Sequence, residues 1–305
     1  MDVFKSVTGQ ELEKRIWLPE GKPRAVLQLV HGMAEHIGRY DRAAKDLAKA
    51  GFVVVGHTHL GHGEKAEIKG YFGEKNGWDN LIEDVHRLRL ETQALYPELP
   101  YFLLGHSMGS FVARGYCLKY EKGLAGVILS GTGHYAPALV KLAHGIASVE
   151  CGLGLSRKPS RLMAALVGAG SNKGYEDVRT PFDWLTRDRD IVAKYVADPL
   201  CGFPFAAAGY RDMFEGLSRL YPEKLGPMEK DIPVLLFSGE EDPVGAHGEG
   251  VRQVAQELRD AGVKDVALRL YPKGRHEMLN ELNREEVIQN LVGDLMARLP
   301  ENKEE

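Results

Sequence analysis

The sequence predicts an α/β fold in which a mostly parallel sheet lies between two layers of helices and carries one helical insertion. Two observations lead there. Short apolar runs recur between longer amphipathic stretches, and they are continuously rather than alternately apolar, as strands are when both faces of a sheet are covered. The alternation lapses once, from about 134 to 212, where no convincing strand can be placed.

RAVLQLVHG (24–32) reads as a buried strand followed by a helix near 41–50, and GFVVVGH (51–57) as a second strand followed by a helix over 78–95. YFLLGH (101–106) leads into a helix over 108–120, and GLAGVILSG (123–131) is the next strand. The insertion holds the helix-like YAPALVKLAHGIASV and SRLMAALVGAG, then the aromatic, proline-containing DPLCGFPFAAAGY. Its length predicts a lid over the C-terminal edge of the strands rather than a structureless loop. IPVLLFSG (232–239) and VALRLYP (266–272) resume the sheet, with helices over 247–261 and 284–299. The expected organisation is a core of 1–133 and 213–305 around a lid of 134–212, without internal repeats.

Composition narrows the function. At 305 residues and a net charge of −4 with both signs dispersed, the chain has no basic footprint for nucleic acid or an anionic membrane. No leader pattern opens it and no uninterrupted apolar run approaches a membrane span. Cys117, Cys151 and Cys201 are odd in number and far apart, which argues against a disulfide framework or a close-spaced zinc site and points to a reducing cytoplasm.

GHSMG, at the end of the 101–106 strand, sets Ser107 in a Gly-x-Ser-x-Gly pattern. The pattern alone is modest evidence, and its context decides. It follows a buried strand and opens a helix, the setting of a sharp turn that exposes a serine oxygen above a sheet, with Gly105 and Gly109 permitting close approach of helix and strand. The competing reading is a serine that caps the helix.

A serine nucleophile needs a base and a carboxylate to orient it, in this fold class in the order Ser, acid, His. Among the downstream histidines, His134 and His144 fall in the lid, and His247 follows the best acid by five residues. His276, in LYPKGRHEMLNE, follows the last strand. The acid lies in LLFSGEEDPVG: Asp242 is the first choice, with Glu240 and Glu241 open if the loop is shifted. Two backbone donors are needed for an oxyanion. Met108 N follows the serine, and Met33 N follows the strand ending at His31 and Gly32. His31 itself reads as a structural histidine.

HGMAEHIGRY, HLGHG, GHSMGS, SGEEDPVG and HEMLNE together resemble the monoacylglycerol lipase and lysophospholipase branch of the α/β-hydrolase family, over about residues 20–299. The resemblance implies the α/β-hydrolase fold, a triad of Ser107, Asp242 and His276, oxyanion donors at Met33 and Met108, and no cofactor. Thr58 departs from it, since the family's turn usually carries an acidic residue there; the difference bears on the hydrogen bonding of that turn. Glu35, His36 and Arg39 place polar groups near the oxyanion loop, and the resemblance implies that an alcohol such as glycerol binds on that side, while Arg39 reads equally well as a surface salt-bridge residue; Val244, beside the acid, is a further substrate-contact candidate.

Metal readings fail on spacing. HEMLN has Asn280 where a second zinc ligand is required, and His57, His59 and His62 have no acid or cysteine beside them. The elbow serine also excludes the carboxylate nucleophile of dehalogenases and epoxide hydrolases. In the lid, Trp184, Leu200, Phe203 and Phe205 are candidates for an apolar acyl wall, and packed helices would read the same way. The leading expectation is a serine ester hydrolase acting on monoacylglycerols or similar single-chain lipids, with transient lid contact to a lipid surface. The alternatives are a peptidase of the proline-iminopeptidase type, a thioesterase, or a non-enzymatic binding protein on the same fold. An aminopeptidase would use Glu176, Asp177 or Asp183 to hold the substrate's amine.

Overall fold

The structure is a computed structural model that describes residues 2–176, 178–226 and 229–299. An eight-stranded sheet runs β1 (Asp2–Lys5), β2 (Glu11–Trp17), β4 (Phe52–His57), β3 (Ala25–Val30), β5 (Tyr101–His106), β6 (Gly126–Ser130), β7 (Val234–Gly239), β8 (Val266–Tyr271) from edge to edge. β3 to β8 run parallel to one another, and at one edge β2 pairs antiparallel with both β4 and β1. The six expected strands are all present. The hairpin β1–β2 was not expected, because ELEKRIW is mostly charged and only half buried and offers no continuous apolar run.

The continuous runs resolve into two cores because successive side chains point to opposite faces. Ala25, Leu27, Leu29, Phe102 and Leu104 pack with α1 (Asp41–Lys49) and α9 (Arg284–Met296). Val26, Val30, Tyr101 and Leu103 pack with α2 (Gly77–Leu95), α3 (Met108–Tyr120) and α8 (Glu249–Asp260). Removing a large side chain from either core would cost about 2–5 kcal/mol.

Between β6 and β7 the described chain forms α4 (Pro137–Glu150), α5 (Arg161–Gly168), α6 (Arg189–Ala197) and α7 (Ala207–Leu217). The expected lid boundary at 212 falls inside α7, which also packs on α2 and α3. α4 turns only Val140 and Ala147 fully inward, while Leu139, Leu142, Val149, Leu153, Leu162 and Leu166 are each at least half exposed. Pro137–Leu155 is long and apolar enough to cross a membrane by length and composition alone. Lys141 and Glu150 interrupt it, and α4 packs against α7.

Candidate active site

Ser107 lies between β5 and α3 at φ 52 and ψ −121, a conformation unusual for a residue with a side chain. The tightness of this turn is set by its glycines. A Cβ on Gly105 would lie 2.2 Å from Gly109 O, and one on Gly109 would lie 2.0 Å from Val30 O. The Ser107 amide is pinned to Ser130 O at 2.9 Å, on the neighbouring strand. Although it precedes a helix, its side chain makes no capping bond, which removes the capping reading and leaves the hydroxyl free for other partners.

The end of β7 supplies Asp242, fully buried. It accepts hydrogen bonds from Ser238 Oγ (2.8 Å) and Val244 N (2.9 Å). His276, on the loop after β8, places Nδ1 2.9 and 3.0 Å from the two Asp242 oxygens. A carboxylate can only accept, so Nδ1 carries a proton and Nε2 is left as the basic atom. Burial alone would push His276 down, but the Asp242 charge and hydrogen bond outweigh it and raise the histidine above its ordinary range. Burial would likewise raise Asp242, and His276, Ser238 and the Val244 amide more than offset it, so the carboxyl lies below its ordinary range. Next to Ser130, Gly131 brings His276 to the β5–β6 edge where Ser107 sits: a Cβ there would be 3.0 Å from His276 Cε1.

The rival acids and histidines separate. Glu240 is exposed, and Glu241 touches this region through its backbone, with its amide on Gly274 O and its carbonyl accepting from Tyr175 Oη. His134 pairs with Glu257 at 2.9 Å, His144 lies on α4, and His247 is exposed. His31 is structural as expected: Nδ1 bonds Gly32 O at 2.9 Å and Nε2 accepts from His59 N at 2.9 Å.

Gly32 faces the serine turn, since a Cβ on it would stand 3.1 Å from Ser107 Cβ. In the loop that follows, Gly32 N donates to Glu35 Oε1 (2.5 Å) and Ala34 N to His62 Nε2 (3.2 Å). The Met33 amide between them has no acceptor among the described residues, and neither does Met108 N in the first turn of α3. Two unpaired donors thus flank the serine, a geometry suited to a developing oxyanion.

Other expectations are corrected. Glu35 and Arg39 do not present free charges to an alcohol. Glu35 bonds Gly32 N, Tyr40 Oη (2.8 Å) and Arg39 (2.5 Å), and Arg39 grips Glu277 with two bonds of 2.7 Å. Glu35 and Glu277 are buried and Arg39 nearly so, and the trio ties the loop before α1 to the residue after His276. Phe205 is fully buried against His62, Phe72 and Tyr210 and cannot wall an acyl pocket. Phe203, Leu200 and Val244 remain partly accessible. At Thr58, the missing acidic group is supplied by Glu13 of β2, whose Oε2 accepts from Thr58 Oγ1 at 3.0 Å.

Sequence reasoning missed the supports. Trp184 covers the His276 ring at 4.9 Å and His106 packs on it at 4.7 Å. Buried Glu281 accepts from Thr186 Oγ1, Arg187 N and Arg275 N, clamping the lid to the histidine loop. His106 stands inside GHSMG and Glu281 closes HEMLNE, but neither motif shows what these side chains support, because the partners of a buried glutamate are known only once the chain is folded around it.

His57, His59 and His62 are buried together, and burial holds His57 down to about 3 and His62 to about 4. A different set, His36, Asp198 and Cys201, brings three donor atoms within 4.8 Å of one another. There, however, the imidazole already bonds Asp198 at 2.9 Å, and burial holds the Cys201 thiol far above its ordinary range, protonated and a poor ligand.

A family described as serine aminopeptidase, S33, matches residues 21–283. A monoacylglycerol lipase of Mycolicibacterium smegmatis is 27% identical over 304 residues, covering 97% of this chain and 96% of that protein. A monoglyceride lipase of Rattus norvegicus is 26% identical over 278 residues, covering 90% and 82%. A solved carboxyl esterase of Bacillus coagulans, in complex with glycerol, superimposes with a TM-score of 0.91 at 32% identity, covering 98% of each chain.

Proposed function

We propose that this chain, which belongs to the serine aminopeptidase S33 family and is a hydrolase of the α/β-hydrolase fold, is a serine carboxylic ester hydrolase acting on monoacylglycerols or similar single-chain lipid esters. The observation that carries the chemistry is the buried Asp242–His276 pair beside an uncapped serine held at φ 52.

In this reading His276 Nε2 takes the Ser107 proton as Oγ attacks the ester carbonyl, and Met33 N and Met108 N stabilise the oxyanion. Collapse of the tetrahedral intermediate breaks the bond to the alcohol, which leaves with the proton from His276. Water, deprotonated by the same nitrogen, then attacks the acyl-serine, releasing the fatty acid and restoring Ser107. The buried Asp242 carboxylate holds the imidazole in the Nδ1–H form and supports the imidazolium in both halves of the cycle. No cofactor enters any step.

Support for a lipid substrate comes from relatives named as monoacylglycerol and monoglyceride lipases and from the exposed apolar face of α4 and α5, suited to transient contact with a lipid surface. The aminopeptidase reading finds less support. Asp183 spends its carboxylate on Arg179 N and Thr180 N, Glu176 is exposed, and Asp177 lies outside the described residues.

One assay comparing a long-chain monoacylglycerol, a lysophospholipid, p-nitrophenyl acetate, an acyl thioester and an aminoacyl amide tests the assignment. The expected order puts the monoacylglycerol first and leaves the amide inert. A preference for the amide would overturn it.

A further inference from the structure

The loop carrying Met33 is held by residues remote from the serine and drawn from both layers of the molecule. Ala34 has φ 51, a left-handed conformation that a residue with a Cβ adopts only where its surroundings over-determine it. From the core side, Ala34 N donates to His62 Nε2 at 3.2 Å. That nitrogen can accept because the other one donates to Leu60 O at 2.9 Å, and burial keeps the ring neutral. From the lid side, Ala34 O accepts from Gly202 N at 2.9 Å and from Tyr195 Oη at 3.1 Å. Gly202 N also donates to Tyr195 Oη at 3.1 Å, closing a three-membered network. A second tie between the same segments joins His36 to Asp198 at 2.9 Å.

We infer that His62 and Tyr195 are positioning residues for the oxyanion site, gripping Ala34 at its N–H and at its carbonyl, in the two peptide units that flank its Cα, so that the lid helps to aim the Met33 amide. The inference rests on the reading of Met33 N as an oxyanion donor. The geometric reason is local. Gly32 N is fixed by Glu35 and Ala34 N by His62, so the one amide between them points where the flanking peptides leave it. Displacing the Tyr195–Gly202 segment would release Ala34 O and with it the restraint on a left-handed residue. Tyr195 is suited to this task because its ring is anchored independently, 4.9 Å from Phe182 and under the Arg39 guanidinium at 4.6 Å. Its hydroxyl can therefore be removed without emptying its site.

The test uses the full chain. Losing an oxyanion donor outright costs about 10²–10³ in kcat, so loosening one of its supports should cost less. For Tyr195→Phe, kcat should fall about tenfold on p-nitrophenyl acetate and on a long-chain p-nitrophenyl ester alike, with KM within about twofold, because the oxyanion is common to both. The rate of Ser107 modification by an organophosphonate should fall by the same factor. His62→Phe should cost about 30-fold, still below the loss of the donor itself, and His62→Gln, whose Oε1 can take the place of the imidazole acceptor for Ala34 N, should recover most of that loss. If His62→Phe fails to fold, Tyr195→Phe decides alone. A folded Tyr195→Phe with wild-type kcat, or with loss confined to the long-chain ester, would overturn the inference. If Ser107→Ala still turns over, the underlying reading fails; if Ser107→Ala is inert while Tyr195→Phe is unimpaired, only the inference does.

Discussion

The strand ends and the lid present their chemistry in opposite ways. Ser107, Asp242 and His276 each follow a parallel strand within a few residues, so the sheet's register delivers them to one edge, and local hydrogen bonds set their directions. The lid has no such frame. Its apolar residues divide between those beneath it, as Phe205, and those facing outward, as Leu142 and Leu153, and composition alone does not distinguish the two. A site on strand ends is addressed by chain position, whereas a lid is addressed only by packing.

The largest effect that would break this contrast lies at the strand ends. Ser107→Ala removes one oxygen and no packing, so ester hydrolysis should fall by about 10⁴-fold or more with the unfolding transition unchanged. Near-wild-type turnover in a steady-state assay would sink the mechanism.

Next comes the acid. Asp242→Asn should lower turnover by roughly 10³ to 10⁴, because an amide favours the wrong imidazole tautomer. It also removes the charge that raises His276, so the acid limb of the residual pH–rate profile should move to lower pH. Glu241→Gln, one residue away, should be nearly silent. The reverse ranking would mean that the loop is read one residue out of place.

The smallest effects sharpen the division within the lid. Phe205→Asp would bury a charge without a partner and should destabilise the fold by several kcal/mol, lowering hydrolysis of short and long esters together. Leu142→Glu, at an exposed site, should leave the unfolding midpoint within about a degree or two while weakening binding to phospholipid vesicles several-fold. Calorimetry and vesicle co-sedimentation read the two separately; equal destabilisation by both would show that the exposed face is structural.

The same contrast explains what was legible before folding. Continuous apolar runs gave away the six parallel strands, because burial on both faces leaves no alternation to misread. The elbow, acid and histidine loops were legible because each stands at a strand end in a short motif. The β1–β2 hairpin was not, since Glu11, Glu13 and Lys14 make its pattern look like surface. Glu35 and Arg39 looked available to a substrate because a sequence shows charge without partners, and only folding brings Glu277 to Arg39. Phe205 looked like a pocket wall for the related reason that an aromatic side chain reads alike on either side of a lid.

The most direct test of the central claim is to treat the protein with a long-chain organophosphonate, follow loss of esterase activity, and map the adduct by peptide mass spectrometry. Activity should disappear as one equivalent of adduct forms on the peptide containing Ser107, with no other serine modified. Complete inactivation with the adduct on a different residue, or full labelling of Ser107 with activity retained, would contradict it.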